Sequence, residues 1–256
     1  SSGYISPYTS GAGLAIGSSV NNVSMTAATG TVSEAFTFTN AGTLVLGASG
    51  GTQTYTGGLS TTGVTGGVTL KGTLNTTNTA MVFGAISLGA DTALRTNATT
   101  TAGDITLGAV TLAGYGLTAS TGTSVAAADL GGTTVSGLGS ITLQNIGGTA
   151  SFTGAVSATS LTVASSVNNV VLSGSGGTIT NAVTFSNAGT LALGQSGGTQ
   201  TYTGGVTAVA PSTITLNGTI QTTNTALTLN AFTLGSDVTL STNATTSDGL
   251  IKIGTI

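Results

Sequence analysis

Residues 214–256 read ITLNGTIQTTNTALTLNAFTLGSDVTLSTNATTSDGLIKIGTI. Three tetrads of alternating apolar and polar residues begin at Ile214, Phe232 and Ile251, and their spacing is nearly constant. Alternation over four to six residues is typical of a strand with one buried face. Gly, Asn, Ser and Thr fill the segments between the tetrads and favour turns. The stretch therefore predicts short strands that return at the same regular interval.

The same spacing occurs earlier in the chain, where tetrads begin at Val68, Ile86 and Ile105. Thr, Val, Ile and Gly are poor helix formers, and the apolar residues nowhere keep a 3.6-residue period over three turns. Sandwiches and barrels place strands closer together, at about 8 to 12 residues, and need no sequence repeat. The spacing therefore favours an all-β chain built from repeated coils.

A longer repeat is superimposed on the short one. SSVNNV occurs at 18–23 and again at 165–170, and SGGTQTYTGG occurs at 49–58 and again at 196–205. Self-similarity at a fixed period, here about 147 residues, is the signature of repeat architectures. We expect residues 1–256 to form a single β-solenoid whose internal repeat spans 18–164 and 165–256, the second copy being incomplete.

The predicted fold is a right-handed parallel β-helix with about 18–25 residues per coil. At about 20 residues per coil the chain would form about 12 or 13 coils and a rod roughly 60 Å long. Inward Leu, Ile, Val and Phe would form columns in the core, and outward Thr and Ser would form ladders of small side chains above one another.

Composition excludes most chemistry. Among 256 residues there are only three Lys and Arg and six Asp and Glu, with no His or Cys, and the net charge is -3. General acid–base catalysis needs positioned titratable groups, and nucleic-acid binding needs clustered Lys and Arg. The longest nearly apolar run, 80–90, is too short for a membrane helix. We expect no enzyme, no catalytic, cofactor or metal site, no nucleic-acid partner and no membrane span.

Two segments point to a family. NAGTLVLGASGGTQTYTGG at 40–58 and NAGTLALGQSGGTQTYTGG at 187–205 resemble the autotransporter-associated β-strand repeat. The stretch 214–249 resembles the coils of filamentous haemagglutinin-type large exoproteins. These resemblances imply a large secreted or surface-displayed bacterial β-solenoid, exported through an outer-membrane pore and used in adhesion or in extracellular structure. After the Tyr-Thr-Gly-Gly turn the chain departs from the repeat pattern, and it contains no recognisable translocator barrel.

Four charged residues can be compared between the two copies of the repeat. Asp91 and Asp237 occupy equivalent positions in LGAD and LGSD, which are compatible with a cation site or with a capped turn. Calcium sites gather several oxygen ligands, so one Asp per coil favours the cap. Lys71 and Arg95 are replaced by Asn and Ser in the second copy, so these positions do not require the charge. The acidic residues without a partner in the sequence are Asp104, Asp129 and Asp248.

Tyr, Thr and Asn repeat in matching contexts. Tyr55 and Tyr202 would stack on a sugar if they point outward, or pack in the core if they point inward. Thr-x-Thr pairs such as Thr199 and Thr201 would bind ice only as a regular array on one face, and their irregular spacing favours ordinary exposed strands. Three pairs of Asn at turn positions suit left-handed conformations and could also form amide ladders: Asn40 and Asn187, Asn78 and Asn224, Asn97 and Asn243.

The predicted function is a structural or adhesive segment of a long secreted bacterial fibre, either a rigid stalk or a self-assembling filament. The alternatives are an adhesin that binds a glycan or host receptor, an ice-binding protein or a polysaccharide-cleaving β-helix enzyme. Neither end carries a polar cap, and Leu250, Ile251, Ile253 and Ile256 resemble an uncovered coil. Further copies or repeats stacked end to end are the expected partners.

Overall fold

The computed structural model describes residues 2–4, 8–10, 16–123, 128–246 and 248–254. The chain winds as a parallel β-solenoid of about 11 turns, and none of the described residues lies in a helix. The described part therefore contains no helix capable of crossing a membrane. The predicted all-β parallel solenoid is confirmed, whereas its right-handedness stays a prediction.

Strands are numbered β1–β29 along the chain, and they stack into three faces, A, B and C. Face A consists of β1 (Ser2–Tyr4), β3 (Asn22–Met25), β6 (Leu44–Leu46), β13 (Val110–Thr111), β16 (Val135–Ser136), β21 (Thr178–Ile179) and β24 (Thr199–Tyr202). Four long strands bend across a corner and contribute to two faces: β9 (Val68–Asn75) and β11 (Ile86–Arg95) to A and B, β26 (Thr213–Thr222) and β28 (Thr233–Ser241) to C and A.

The other two faces hold the remaining strands. Face B consists of β2 (Tyr8–Ser10), β4 (Thr29–Val32), β7 (Thr52–Tyr55), β14 (Gly116–Ser120), β17 (Ser140–Leu143), β19 (Ser160–Val163), β22 (Val183–Thr184), β25 (Val206–Ala208), β27 (Leu227–Leu229) and β29 (Ile251–Ile253). Face C consists of β5 (Phe36–Thr37), β8 (Leu59–Ser60), β10 (Met81–Phe83), β12 (Ile105–Leu107), β15 (Leu130–Gly132), β18 (Ile146–Phe152), β20 (Val167–Leu172) and β23 (Thr190–Leu193).

One narrow core runs through all the coils. On face A the inward column Val23, Leu44, Val68, Ile86, Val110 and Val135 is at most 5% exposed. Strand partners on this face are separated by coil lengths within the predicted range, and eleven register steps lead from β1 to β28. The described residues complete about 11 turns, slightly fewer than the 12 or 13 coils predicted, because most coils are longer than the 20 residues assumed. Eleven steps at about 4.8 Å give a length of roughly 53 Å.

The two copies of the long repeat do not occupy equivalent faces. Leu44 lies on face A, whereas its counterpart Leu191 lies on face C. Tyr55 lies on face B, whereas Tyr202 lies on face A. One full copy therefore winds through six turns and two further faces. Small residues do stack on small residues, as expected, but the equivalent residues of the two copies point in directions that differ by one face.

Asparagines at the corners tie successive coils together. Asn78 has a φ of 55°, and its Oδ1 accepts hydrogen bonds from the backbone N–H and the hydroxyl of Thr99, 21 residues further along. The same bonding with the same separation recurs in three other pairs: Asn22 with Thr43, Asn169 with Thr190, Asn224 with Thr245. The expected left-handed conformation is confirmed at Asn78, Asn97, Asn224 and Asn243. The side chains of these four bond to Thr and not to one another, so the expected amide ladders are not formed by them.

The third predicted pair behaves differently. Asn40 and Asn187 are fully buried and do not have positive φ. The Asn40 amide N–H group donates to the backbone carbonyls of Asn21, Gly42 and Thr43. The prediction of a left-handed turn is therefore wrong here, because the side chain points inward and its amide is needed to satisfy carbonyls at the corner.

The last described coil is less covered than the others. Leu234, Leu250, Ile251 and Ile253 are 65%, 61%, 40% and 40% exposed. Residues that they stack on, such as Leu216, are fully buried. The exposure follows from the position of this coil at the end of the described chain. Ile256, expected to share this surface, lies outside the described residues.

Gly47 offers a test of how closely the coils approach. It has a φ of +83°, and the carbonyl oxygen of Lys71 in the next coil occupies the space that a Cβ would need. Gly50 has a similar φ of +70°, but no atom lies within 4 Å of its Cβ position. Gly50→Ala is expected to cost about 1–2 kcal/mol for the left-handed conformation. Gly47→Ala is expected to cost about 3 kcal/mol or more, since overpacking is added. Urea unfolding followed by circular dichroism measures both, and equal losses would contradict the close contact.

Candidate functional site

A β-bulge interrupts the corner between faces A and B. Leu88 of β11 pairs with Leu70 of β9, but Thr92 pairs with Gly72, so residues 89–91 lie opposite Lys71 alone. Bulges redirect side chains and are frequent next to binding sites. The second copy has the same bulge, in which residues 235–237 of β28 lie opposite Asn217 of β26. Asp91 and Asp237 end the two bulges.

An open groove of about 440 Å³ lies beside the first bulge. Hydroxyl groups and one carboxylate line it, from Ser49, Thr73, Asp91, Thr118 and Ser140, together with three glycines. A groove of this kind can offer hydrogen bonds to a polar, uncharged ligand. No aromatic side chain lines it, so it offers no stacking surface for a sugar ring.

Three of the acidic residues cap the following coil. Oδ1 of Asp91 accepts a hydrogen bond of 2.8 Å from the backbone N–H of Gly116. Asp104 accepts one of 2.8 Å from the N–H of Asp129, which in turn accepts one of 2.7 Å from the N–H of Thr149. Each carboxylate therefore satisfies one backbone donor at a corner, which agrees with the interpretation of Asp91 as a cap.

These carboxylates are not assembled into a centre. Within the described ranges, no three His, Cys, Asp or Glu side chains lie close enough together to hold a metal ion. Lys71 is half-buried opposite the bulge, and Arg95 is exposed on face B beside Asn75. The cation-site alternative at Asp91 lacks further carboxylate ligands. The absence of catalytic and cofactor sites stays a prediction.

The two repeated tyrosines point into the core. Tyr55 is fully buried and Tyr202 is 2% exposed. Each hydroxyl donates a hydrogen bond to the amide oxygen of the Gln two residues earlier, at 3.0 Å in the first copy and 3.1 Å in the second. An aromatic ring that is buried cannot stack on a glycan, so the sugar-contact alternative is wrong for Tyr55 and Tyr202.

Face B carries a column of threonines that was not predicted, because these residues are irregularly spaced in the sequence. The outward position of each coil is Thr in nine coils: Thr29, Thr52, Thr73, Thr118, Thr142, Thr162, Thr184, Thr207 and Thr228. Ala93 interrupts the column and Lys252 ends it. Coils of different length bring these residues into line, because bulges and loops absorb the difference.

The neighbouring outward column on face B is mixed. Thr31 and Thr54 are followed by Asn75 and Arg95 in the next two coils. The Thr-x-Thr pair of the second copy, Thr199 and Thr201, lies on face A. A flat ice surface needs paired columns on one face, and the structure divides the pairs between two faces. The geometry therefore favours ordinary exposed strands over an ice-binding array.

No known protein family, curated protein or solved structure matches this chain.

Burial of Tyr202 generates a pH test. Desolvation raises the pKa of its phenol well above the ordinary value near 10. The folded state therefore keeps the phenol neutral while the unfolded chain ionises, so this stabilisation is complete below about pH 10 and is lost as the pH rises above that value. The loss should approach about 1.4 kcal/mol per pH unit.

Urea unfolding of the wild-type chain and of Tyr202→Phe between about pH 8 and 11 measures the effect. The variant is expected to be less stable at pH 8, because Gln200 loses its donor, but to lose less stability as the pH rises. Parallel pH profiles for the two proteins would contradict the buried position of Tyr202.

Proposed function

We propose that this chain is a rigid stalk segment of a long secreted or surface-displayed bacterial protein. The observation that carries the proposal is that all three faces continue through the described chain around a single core. A solenoid of this kind holds its two ends at a fixed distance, which is the property that a spacer requires. The resemblance to autotransporter and haemagglutinin-type repeats supports the extracellular location.

Coil-to-coil bonding supports the mechanical role. Backbone hydrogen bonds join every coil to its neighbours, and the Asn–Thr pairs and Asp caps add bonds at the corners. Bending the rod requires several of these bonds to lengthen together. The proposal includes stacking of further repeats or copies end to end.

An adhesin is the second candidate, and the groove beside Asp91 favours it. Ser, Thr and Asp side chains there can bond to the hydroxyls of a neutral saccharide. The groove is open and contains no aromatic residue, so we place it second. The carboxylates give no support to enzymatic cleavage of a polysaccharide. No three of them lie together within the described residues, and those of Asp91, Asp104 and Asp129 each cap a backbone N–H.

Small-angle X-ray scattering and glycan-array binding of the purified chain separate the two candidates. A stalk predicts a stiff particle roughly 53 Å long and no saturable glycan binding. Saturable binding that Thr118→Val abolishes would contradict a purely structural role and favour the adhesin. Thr162→Val is the matched control, because Thr162 lies in the same column as Thr118 but outside the groove. A flexible or globular particle would contradict the stalk.

A further inference from the structure

Each copy of the long repeat buries a glutamine in the core. Gln53 is fully buried, and its amide N–H group donates to the carbonyls of Met25 at 2.7 Å and Ala27 at 3.0 Å. Its amide oxygen accepts the hydroxyl of Tyr55. Met25 ends β3, and Ala27 lies in the corner that leads to β4. One side chain thus joins β7 to the corner of the coil before it.

The second copy repeats this arrangement. The amide N–H group of Gln200 donates to the carbonyls of Leu172 at 2.6 Å and Gly174 at 2.9 Å, and Tyr202 donates to its amide oxygen. In both copies the acceptors lie 28 and 26 residues before the glutamine. Since the two copies occupy different faces, the bonding follows the local sequence and not a position on the rod.

Burial alone does not select one register for these strands. A shift of two residues keeps every inward side chain inward, because side chains alternate with a period of two. Between β4 and β7 the shift would place Thr over Thr on the outside, and Tyr55 over Gly30 or Gln53 over Val32 on the inside, so that no inward side chain would become exposed. The coil from Val68 to Ile86 is much shorter than the coil from Val110 to Val135, so the loops can absorb two residues. Another interaction is therefore needed to fix the pairing.

We propose that Gln53 and Gln200 fix the strand register in the two copies. If β7 shifted by two residues along β4, Tyr55 or Gly51 would take the place of Gln53. The amide would then leave the carbonyls of Met25 and Ala27, and a buried polar group without a partner is costly. A single buried polar side chain fixes register in coiled coils by the same physics. The stalk function neither requires nor predicts this role.

The absence of Cys from the sequence allows the register to be read by engineered disulfides. Thr31 pairs with Thr54 in the native register, so Thr31→Cys with Thr54→Cys reports that register. Thr29→Cys with Thr54→Cys, and Thr31→Cys with Thr52→Cys, report shifts of two residues in either direction. Residues two positions out of register are about 8 Å apart, beyond the reach of a disulfide.

Each reporter pair is refolded from urea and oxidised, and the cross-linked fraction is measured by mass spectrometry. With Gln53 present, only the native pair is expected to cross-link. Gln53→Leu should fold but raise the cross-linked fraction of a shifted pair about tenfold. Gln53→Met, which keeps the length of the side chain, should do the same. Gln200→Leu is the matched control and should leave these reporters unchanged, because its acceptors lie in another coil.

Wild-type cross-linking patterns in both Gln53 variants would overturn the proposal. Loss of folding in both variants, seen by circular dichroism, would also overturn it, since Gln53 would then be required for folding instead of selecting one register. An equal rise in shifted cross-linking with Gln200→Leu would show a general loss of stability and would contradict a local role of Gln53 in fixing the register.

Discussion

Backbone hydrogen bonding between successive coils is the interaction on which the rest of this structure depends. Each strand pairs in parallel with the coils before and after it, so most main-chain donors and acceptors are satisfied without side chains. Stacking about 4.8 Å apart makes a column of like charges costly and a column of threonines acceptable. The scarcity of charged residues follows from this spacing, and so does the use of Asn and Asp to cap corners.

The sequence was sufficient to predict strands, parallel stacking and coil length, because alternation and the regular return of the tetrads report local constraints. It was not sufficient to predict the number of coils or the face that each copy occupies, since these depend on the sum of many loop and bulge lengths. The column that includes Thr142 and Thr162 was missed for that reason. The inward position of Gln53 could have been predicted from the alternation in Thr-Gln-Thr-Tyr. Its acceptors could not, because they lie in the preceding coil.

The two copies of the long repeat are rotated by one face relative to each other, so the repeat does not produce a repeated pattern on one face of the rod. Equivalent residues such as Thr54 and Thr201 point from different faces, so a repeat in sequence is not a repeat along one side of the rod. The groove at Asp91 therefore faces one direction, while the second bulge at Asp237 lies one face away. The core treats both copies alike, because Gln53 and Gln200 bond to the preceding coil in the same way.

Methyl–methyl nuclear Overhauser effects measure coil stacking most directly. The structure places Leu44, Val68 and Ile86 in one core column, each in the coil that follows the previous one. Contacts are therefore expected between Leu44 and Val68 and between Val68 and Ile86. A series of contacts whose partner moves backward along the chain as the first residue moves forward would indicate antiparallel hairpins and would contradict the solenoid.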